Sequence, residues 1–246
     1  MRNGCSIAVI IPALNEERAI AQVINEIPPW ADRILVADNG SMDGTSTAAK
    51  QAGATVVYQP ERGYGAACLA AIAKLDAPDI VVFVDGDLSD YPEDMDQLVD
   101  PIAAGSCDMV IASRAIGERE AGALTPQQLF GNWLATRLMR LIWGAKFTDL
   151  GPFRAIRYAA LKQIGMRDRD YGWTVEMQIR AIEERLKYIE VPARYRRRIG
   201  ESKVSGTVRG TVMAGYKILS LIGRHAVRHW LARKPSREKQ RSSSTT

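Results

Sequence analysis

Ile80-Val81-Val82-Phe83-Val84-Asp85-Gly86-Asp87 is the stretch that decides how this chain folds. Five apolar residues, all β-branched or aromatic, favour a strand. The strand runs straight into two carboxylates one residue apart. In an extended chain alternate side chains point the same way, so Asp85 and Asp87 can converge on one hard divalent cation. Mg²⁺ or Mn²⁺ takes oxygen ligands and keeps substrate phosphates as the rest of its shell. Asp-Gly-Asp is also good turn chemistry; its place at a strand end favours the metal.

The pattern repeats on both sides of this stretch. Ile7–Ile11 is a continuous apolar run ended by Pro12 and reads as a buried strand. Asn15–Ile27 has helical spacing and stops at Pro28-Pro29. Arg33–Ala37 and Thr55–Tyr58 read as further strands, with a helix from Ser41 or Asp43 to Ala52 between them. Ala66–Leu75 and Glu93–Ala104 read as helices, and Met109–Ala112 as a strand. This alternation predicts βαβ units in an α/β fold with a doubly wound, mostly parallel sheet and flanking helices. Ligands bind such sheets outside the carboxyl ends of the strands. Pro12–Glu16, Asp38–Asp43 and Asp85–Asp87 all fall there.

After residue 113 the pattern changes. Residues 114–126 read as a loop and Gln127–Trp143 as a helix whose Trp133 and Trp143 stripe suits either core or an acceptor groove. A loop leads into a strand over Thr148–Ile156. Thr174–Arg185 reads as an amphipathic helix and Leu186–Val191 as a strand. Thr207–Arg233 is a long basic amphipathic stretch, and Lys234–Thr246 has the composition of a disordered tail.

At 246 residues, with 46% hydrophobic and 25% charged side chains, the chain is long enough to bury its own core. Cys5, Cys68 and Cys107 are scattered and odd in number, which argues against a disulfide scaffold and for a reducing compartment. No signal peptide is visible, and no apolar run approaches the roughly 18 residues of a membrane span. The charge is divided unevenly. Residues 194–246 carry 14 Lys and Arg against 2 Asp and Glu, whereas residues 1–193 carry 19 against 26. An acidic body with a basic C-terminal quarter calls for an anionic partner: phosphate, anionic lipid or nucleic acid. A nucleic-acid-binding module fits poorly, because basic residues are not interleaved with aromatics in the body. A nucleotidyltransferase would also use paired aspartates, but its G-x-G-x-R-like loop after the first strand is missing.

Two further blocks bear on a ligand. A carboxylate at Asp38 can accept from a nucleobase N–H, with Gly40 and Gly44 permitting close approach; a helix cap and turn would use the same residues. The small residues of Gly63-Tyr64-Gly65-Ala66-Ala67 before a helix suit a backbone near phosphate or sugar. His225 and His229 stand four apart on one helix, with no third metal ligand in view.

Pro12-x-x-Asn15-Glu16, Asp38-Asn39-Gly40-Ser41-x-Asp43-Gly44-Thr45, Gly63-Tyr64-Gly65-Ala66-Ala67 and Asp85-Gly86-Asp87 together resemble the inverting family 2 glycosyltransferases of GT-A fold. Asp149-Leu150-Gly151-Pro152-Phe153-Arg154 and Arg198-Ile199-Gly200-Glu201-Ser202-Lys203 look like the branch of dolichyl- and polyprenyl-phosphate hexosyltransferases. The resemblance covers about residues 7–205. It implies a catalytic domain at 1–206, followed by the basic amphipathic helical extension read at 207–233 and the tail at 234–246. It implies a donor site for a UDP- or GDP-hexose, formed by Pro12, Ala13, Asn15, Glu16, Asp38, Gly40, Gly63, Gly65, Asp85 and Gly86. Asp85 and Asp87 would hold the metal. Asp87, Asp149 and Arg154 would be catalytic, and Arg114, Glu176, Arg198, Ser202 and Lys203 would meet acceptor or phosphate. A lipid phosphate nucleophile is already anionic and needs no strong base. A hydroxyl acceptor in envelope polysaccharide or glycolipid synthesis would need one, and Asp149 or Glu176 is the candidate.

The chain departs from the branch in three places. Asn39 replaces the usual second aspartate, Gly151-Pro152 replaces Ser-Gly, and Thr125-Pro126-Gln127-Gln128 stands where an Arg and a Ser often meet the acceptor phosphate. The C-terminal helix, with Trp230, Leu231 and several Arg, suits a membrane interface, packing on the domain, or a homo-oligomer contact. The expected location is cytoplasmic, peripheral at the inner face of the cell membrane.

Overall fold

Seven strands form one sheet in the order β3-β2-β1-β4-β6-β5-β7. They are β1 (Ile7–Ala13), β2 (Arg33–Asp38), β3 (Thr55–Tyr58), β4 (Ile80–Phe83), β5 (Met109–Ser113), β6 (Arg154–Arg157) and β7 (Tyr188–Pro192). The fold is given by a computed structural model, described for residues 1–200 and 208–242, with backbone alone at 208–211 and 232–242. All pairings are parallel except those of β6, which runs antiparallel between β4 and β5. The expected doubly wound, mostly parallel α/β sheet is present, and its one reversed strand was not foreseen.

The strands alternate their faces as a period of two requires. Ile80, Val82 and Val84 enter a core with helices α1 (Ile20–Glu26) and α4 (Met95–Ala103). Val81 and Phe83 enter the opposite core, closed by α3 (Tyr64–Ile72), α5 (Pro126–Trp143), α6 (Tyr158–Ile164), α7 (Trp173–Glu183) and α8 (Val208–Ser242). Helix α2 (Thr45–Gln51) joins α1 on the first face through Ala49. Both faces of the central strands are therefore dry, which is why their sequences are continuously apolar.

Three elements differ from the sequence reading. Helix α1 begins at Ile20 instead of Asn15. Asn15 has φ +54, and its Oδ1 accepts from the Met42 N–H at 2.8 Å. Its own N–H donates to Ser41 Oγ, and the Glu16 N–H donates to Thr45 Oγ1. This segment is stapled to the next loop, which holds it out of the helix. Helix α6 follows β6 at once and had no counterpart in the reading. Helix α8 continues to Ser242, nine residues past Arg233, with Pro235 inside this last stretch. Among the described residues no helix is long and apolar enough to cross a membrane.

Candidate active site

A cleft of about 530 Å³ opens over the carboxyl ends of β1, β2 and β4. Of the residues expected to form a site, Pro12, Ala13, Glu16, Gly63, Asp85, Gly86, Asp87, Arg114 and Arg198 line it. Asn15, Asp38, Gly40, Gly65, Asp149, Arg154 and Glu176 do not. Ser202 and Lys203 lie outside the described residues.

Asp38 is buried, and both its oxygens are committed to its own loop. One accepts from the Ser41 N–H at 2.8 Å and the other from the Ser46 hydroxyl. Asn39 stands at the cleft instead. Its Nδ2 donates to the carbonyls of Gln59 and Glu61, and its Oδ1 accepts from the Gly63 N–H at 2.7 Å. An aspartate could not donate to two carbonyls, so asparagine is the residue this wall requires. Gly40 has φ +77, and the Arg62 side chain lies against it.

The glycines at the start of α3 have a second neighbour besides the cleft that Gly63 lines. A Cβ on Gly65 would stand 2.1 Å from the Asp168 carbonyl oxygen, and one on Gly63 2.1 Å from that of Arg169. The Ala66 N–H donates to the Arg169 carbonyl at 2.8 Å. The small residues thus let the 168–170 segment press against the start of α3. Its Asp170 and Tyr171 then line the cleft. Gly65→Ala should destabilise the protein by about 2 kcal/mol or more, because backbone must move. An unchanged melting temperature would refute this packing argument.

The carboxylates at the end of β4 form the electrostatic centre. Asp85 Oδ1 accepts from the Tyr64 hydroxyl at 2.9 Å. Asp87 Oδ1 accepts from the backbone and hydroxyl of Ser89, and Asp87 Oδ2 pairs with Arg198 Nη1 at 2.7 Å. Burial, and then the charge of Asp87, push the Asp85 carboxyl up to about 6. Asp90 is a third acid that the sequence reading missed, although it stands three residues beyond Asp87. It is 2% exposed, and neither carboxyl oxygen has a hydrogen-bond partner among the described residues. Burial beside Asp85 and Asp87 raises its carboxyl well above the ordinary range. Asp85, Asp87 and Asp90 gather hard oxygen donors at one strand end, with Arg198 the guanidinium in direct contact. That donor set fits Mg²⁺ or Mn²⁺. Among the described residues no three His, Cys, Asp or Glu side chains are arranged to hold an ion by themselves. A cation here would take further ligands from a substrate.

Asp149 is buried behind Arg114. The pair is bidentate, Nε–Oδ2 and Nη2–Oδ1 both at 2.7 Å, and the Arg114 N–H adds a third bond at 2.8 Å. Burial works against the Arg114 charge, but Asp149 more than offsets it and the pKa rises. Asp149 therefore reaches the cleft only through Arg114. Arg154 is fully buried and donates to the carbonyls of Gly151, Leu150 and Thr174. Burial pushes it down to about 10, and it lies beneath Asp149 and Asp85 as an internal cation. Glu176 faces away from the cleft. It accepts from the Arg167 and Asp168 N–H groups and from Arg180 Nε. Both expected base candidates are thus occupied elsewhere.

Sequence reasoning did not single out Arg62, Tyr171, Tyr195 or Gln128 as cleft residues. Tyr195 receives Arg114 on its ring face at 5.1 Å. A second, apolar groove of about 650 Å³ runs between α5 and α8, lined by Phe130, Leu134, Leu150, Ile218 and Leu219 among others. Arg114 and Gln128 line both the groove and the cleft. Helix α5 also settles its stripe: Trp133 is exposed, whereas Ala135 and Met139 face the core. His225 and His229 go to different neighbours, Nδ1 of the former to Glu183 Oε1 at 2.9 Å and the ring of the latter against Trp143.

The family model described as glycosyl transferase family 2 matches residues 8–165. An uncharacterized glycosyltransferase of Mycobacterium tuberculosis is 34% identical over 213 residues, covering 86% of this chain and 95% of the relative. The dolichyl-phosphate hexose transferase of Haloferax volcanii is 34% identical over 204 residues, covering 80% and 86% respectively. Among solved structures, glucosyl-3-phosphoglycerate synthase from Mycobacterium tuberculosis, in complex with Mn²⁺, UDP-glucose and phosphoglyceric acid, superposes with a TM-score of 0.73. It is 24% identical and covers 91% of this chain and 80% of its own. At that identity the likeness is one of fold.

Proposed function

We propose that this chain, which belongs to glycosyl transferase family 2, moves a hexose with inversion from a nucleotide-diphosphate sugar to a polyprenyl phosphate. The observation that carries the acceptor is the apolar groove between α5 and α8 meeting the polar cleft at Arg114 and Gln128. A molecule with a long hydrocarbon tail and a phosphate head matches that junction: tail along Phe130, Leu134 and Leu219, phosphate at Arg114. Support also comes from the two expected base candidates. Asp149 is tied to Arg114 and Glu176 faces away. An acceptor that is already anionic has no need of them.

In this reading Pro12, Ala13, Glu16 and Asn39 bound the nucleoside end of the donor site. Asp85 and Asp87 would hold a divalent cation, which neutralises charge on the diphosphate leaving group. Arg198, already paired with Asp87, stands ready to share a phosphate oxygen. Arg114, fixed by Asp149 and Tyr195, aims the attacking phosphate. Exposed Phe130, Trp133 and Leu141 on α5, and Tyr216, Val227 and Trp230 on α8, would rest against a membrane surface.

The test is transfer by the purified chain from labelled UDP-glucose, UDP-GlcNAc and GDP-mannose to undecaprenyl phosphate, with Mn²⁺ or with chelator. Metal-dependent label in the organic phase is expected with one donor. A donor nucleotide that binds with metal yet leaves the organic phase unlabelled would move the acceptor to a hydroxyl. In the same assay Phe130→Asp should raise the KM for undecaprenyl phosphate about tenfold or more, since it puts a charge into the apolar groove. Donor Kd should not change; an unaltered lipid KM would count against the groove.

A further inference from the structure

A second polar pocket, of about 330 Å³, lies between α7, α8 and the 167–169 segment. Its two carboxylates are satisfied internally. Asp168 accepts from the Asp170 and Gly172 N–H groups and pairs with Lys217 at 3.2 Å. Glu176 takes two backbone N–H groups and Arg180. His225, at the same pocket, is matched by Glu183. That leaves Arg167, Arg224 and Arg228 lining the pocket with no carboxylate partner among the described residues. Guanidinium groups do not deprotonate to relieve such crowding. They come from two separate elements, the 166–170 loop and α8, so their convergence is a property of the tertiary fold.

We propose that this pocket binds a phosphate-bearing anion. Planar guanidinium forks match phosphate oxygens bidentately, and three uncompensated cations offset a phosphate dianion with charge to spare. Arg224 shares a face of α8 with the exposed Val227 three residues on, which puts a membrane phospholipid headgroup within reach as well as free phosphate. The pocket is separate from the donor cleft. It shares with it the segment whose Asp170 and Tyr171 line that cleft.

Isothermal titration of the full chain with inorganic phosphate tests the first source. Flotation with phosphatidylcholine vesicles, with and without phosphatidylglycerol, tests the second. Two variants are compared, Arg167→Gln in the loop and Arg224→Gln/Arg228→Gln in α8, with UDP binding in Mn²⁺ as the control for folding. The expected result is phosphate binding weakened about tenfold or more in both variants, the scale of one charge-assisted hydrogen bond, with UDP binding unchanged. Wild type that ignores phosphate but floats with phosphatidylglycerol, and variants that do not, would support the site with lipid as its source. Variants that keep wild-type binding in both assays, or wild type that binds neither probe, overturn it.

Discussion

Replacing Asp85 with asparagine is expected to abolish sugar transfer and raise the stability of the metal-free protein at the same time. The activity loss should be three orders of magnitude or more, a scale of about 4 kcal/mol, because a charge that screens the diphosphate is gone. The stability gain follows from the burial of the Asp85 carboxyl and the charge of Asp87 beside it. The folded Asp85 carboxyl titrates near 6, above its unfolded range near 4. Between those values the folded protein binds more protons than the unfolded one, so its stability falls as pH rises through the window. Asparagine keeps an acceptor for the Tyr64 hydroxyl and removes the charge. The variant should match wild type below about pH 4 and melt a few degrees higher above about pH 6.5. Two pH units of carboxyl shift set an upper bound of about 3 kcal/mol, and the half-buried position of Asp85 in the cleft reduces it. Mn²⁺ should raise the melting temperature of wild type and not of the variant. Equal melting curves at pH 8 without metal would refute the electrostatic account, and full activity would refute the site.

The second large effect is expected at the Arg114–Asp149 pair. Asp149→Leu leaves a buried guanidinium without its carboxylate, and Arg114→Met leaves a buried carboxylate alone. Each single change should cost about 3–5 kcal/mol. The double variant Arg114→Met/Asp149→Leu has neither uncompensated charge and should recover most of that loss. Transfer should be absent from all three, because Arg114 is the cationic side chain shared by cleft and groove. The decisive comparison is the double variant: folded and inactive supports a role for Arg114 in positioning the acceptor. Folded and active would reduce the pair to structure. Calorimetric unfolding and the organic-phase assay read the two quantities separately.

The fold was largely legible because its strands are short apolar runs bounded by Pro, Asp and Gly, and their alternation with helices leaves few topologies. The reversed strand β6 was not legible: Arg154-Ala155-Ile156-Arg157 carries nothing in its own sequence that fixes direction. The position of Asp85 and Asp87 was readable from the strand that precedes them. Their third neighbour Asp90 was not, since its importance lies in burial without a partner. Gly63 lines the cleft as expected, but it and Gly65 have a second neighbour that could not be read from the sequence. A glycine marks close approach by something, and the approaching group here is the chain's own 168–169 backbone, about a hundred residues away. Asn39 shows the converse. A residue that looked like a weakened carboxylate is an amide whose two donors and one acceptor are all used.

Strand β6 also governs the order in which the molecule can assemble. β3, β2, β1 and β4 form one block of the sheet and β5 and β7 another, and among the described residues the strand pairing between them runs through residues 154–157. During synthesis the first block is finished when Phe83 emerges, yet the free edge of β4 has no partner until Arg154–Arg157 follow, beyond the whole of α5. An apolar edge held open for that long is exposed to pairing with other chains. Ala155→Gly, which weakens the strand that closes the sheet, is expected to slow refolding of the full chain, read as the rate of recovery of the native signal after dilution from denaturant.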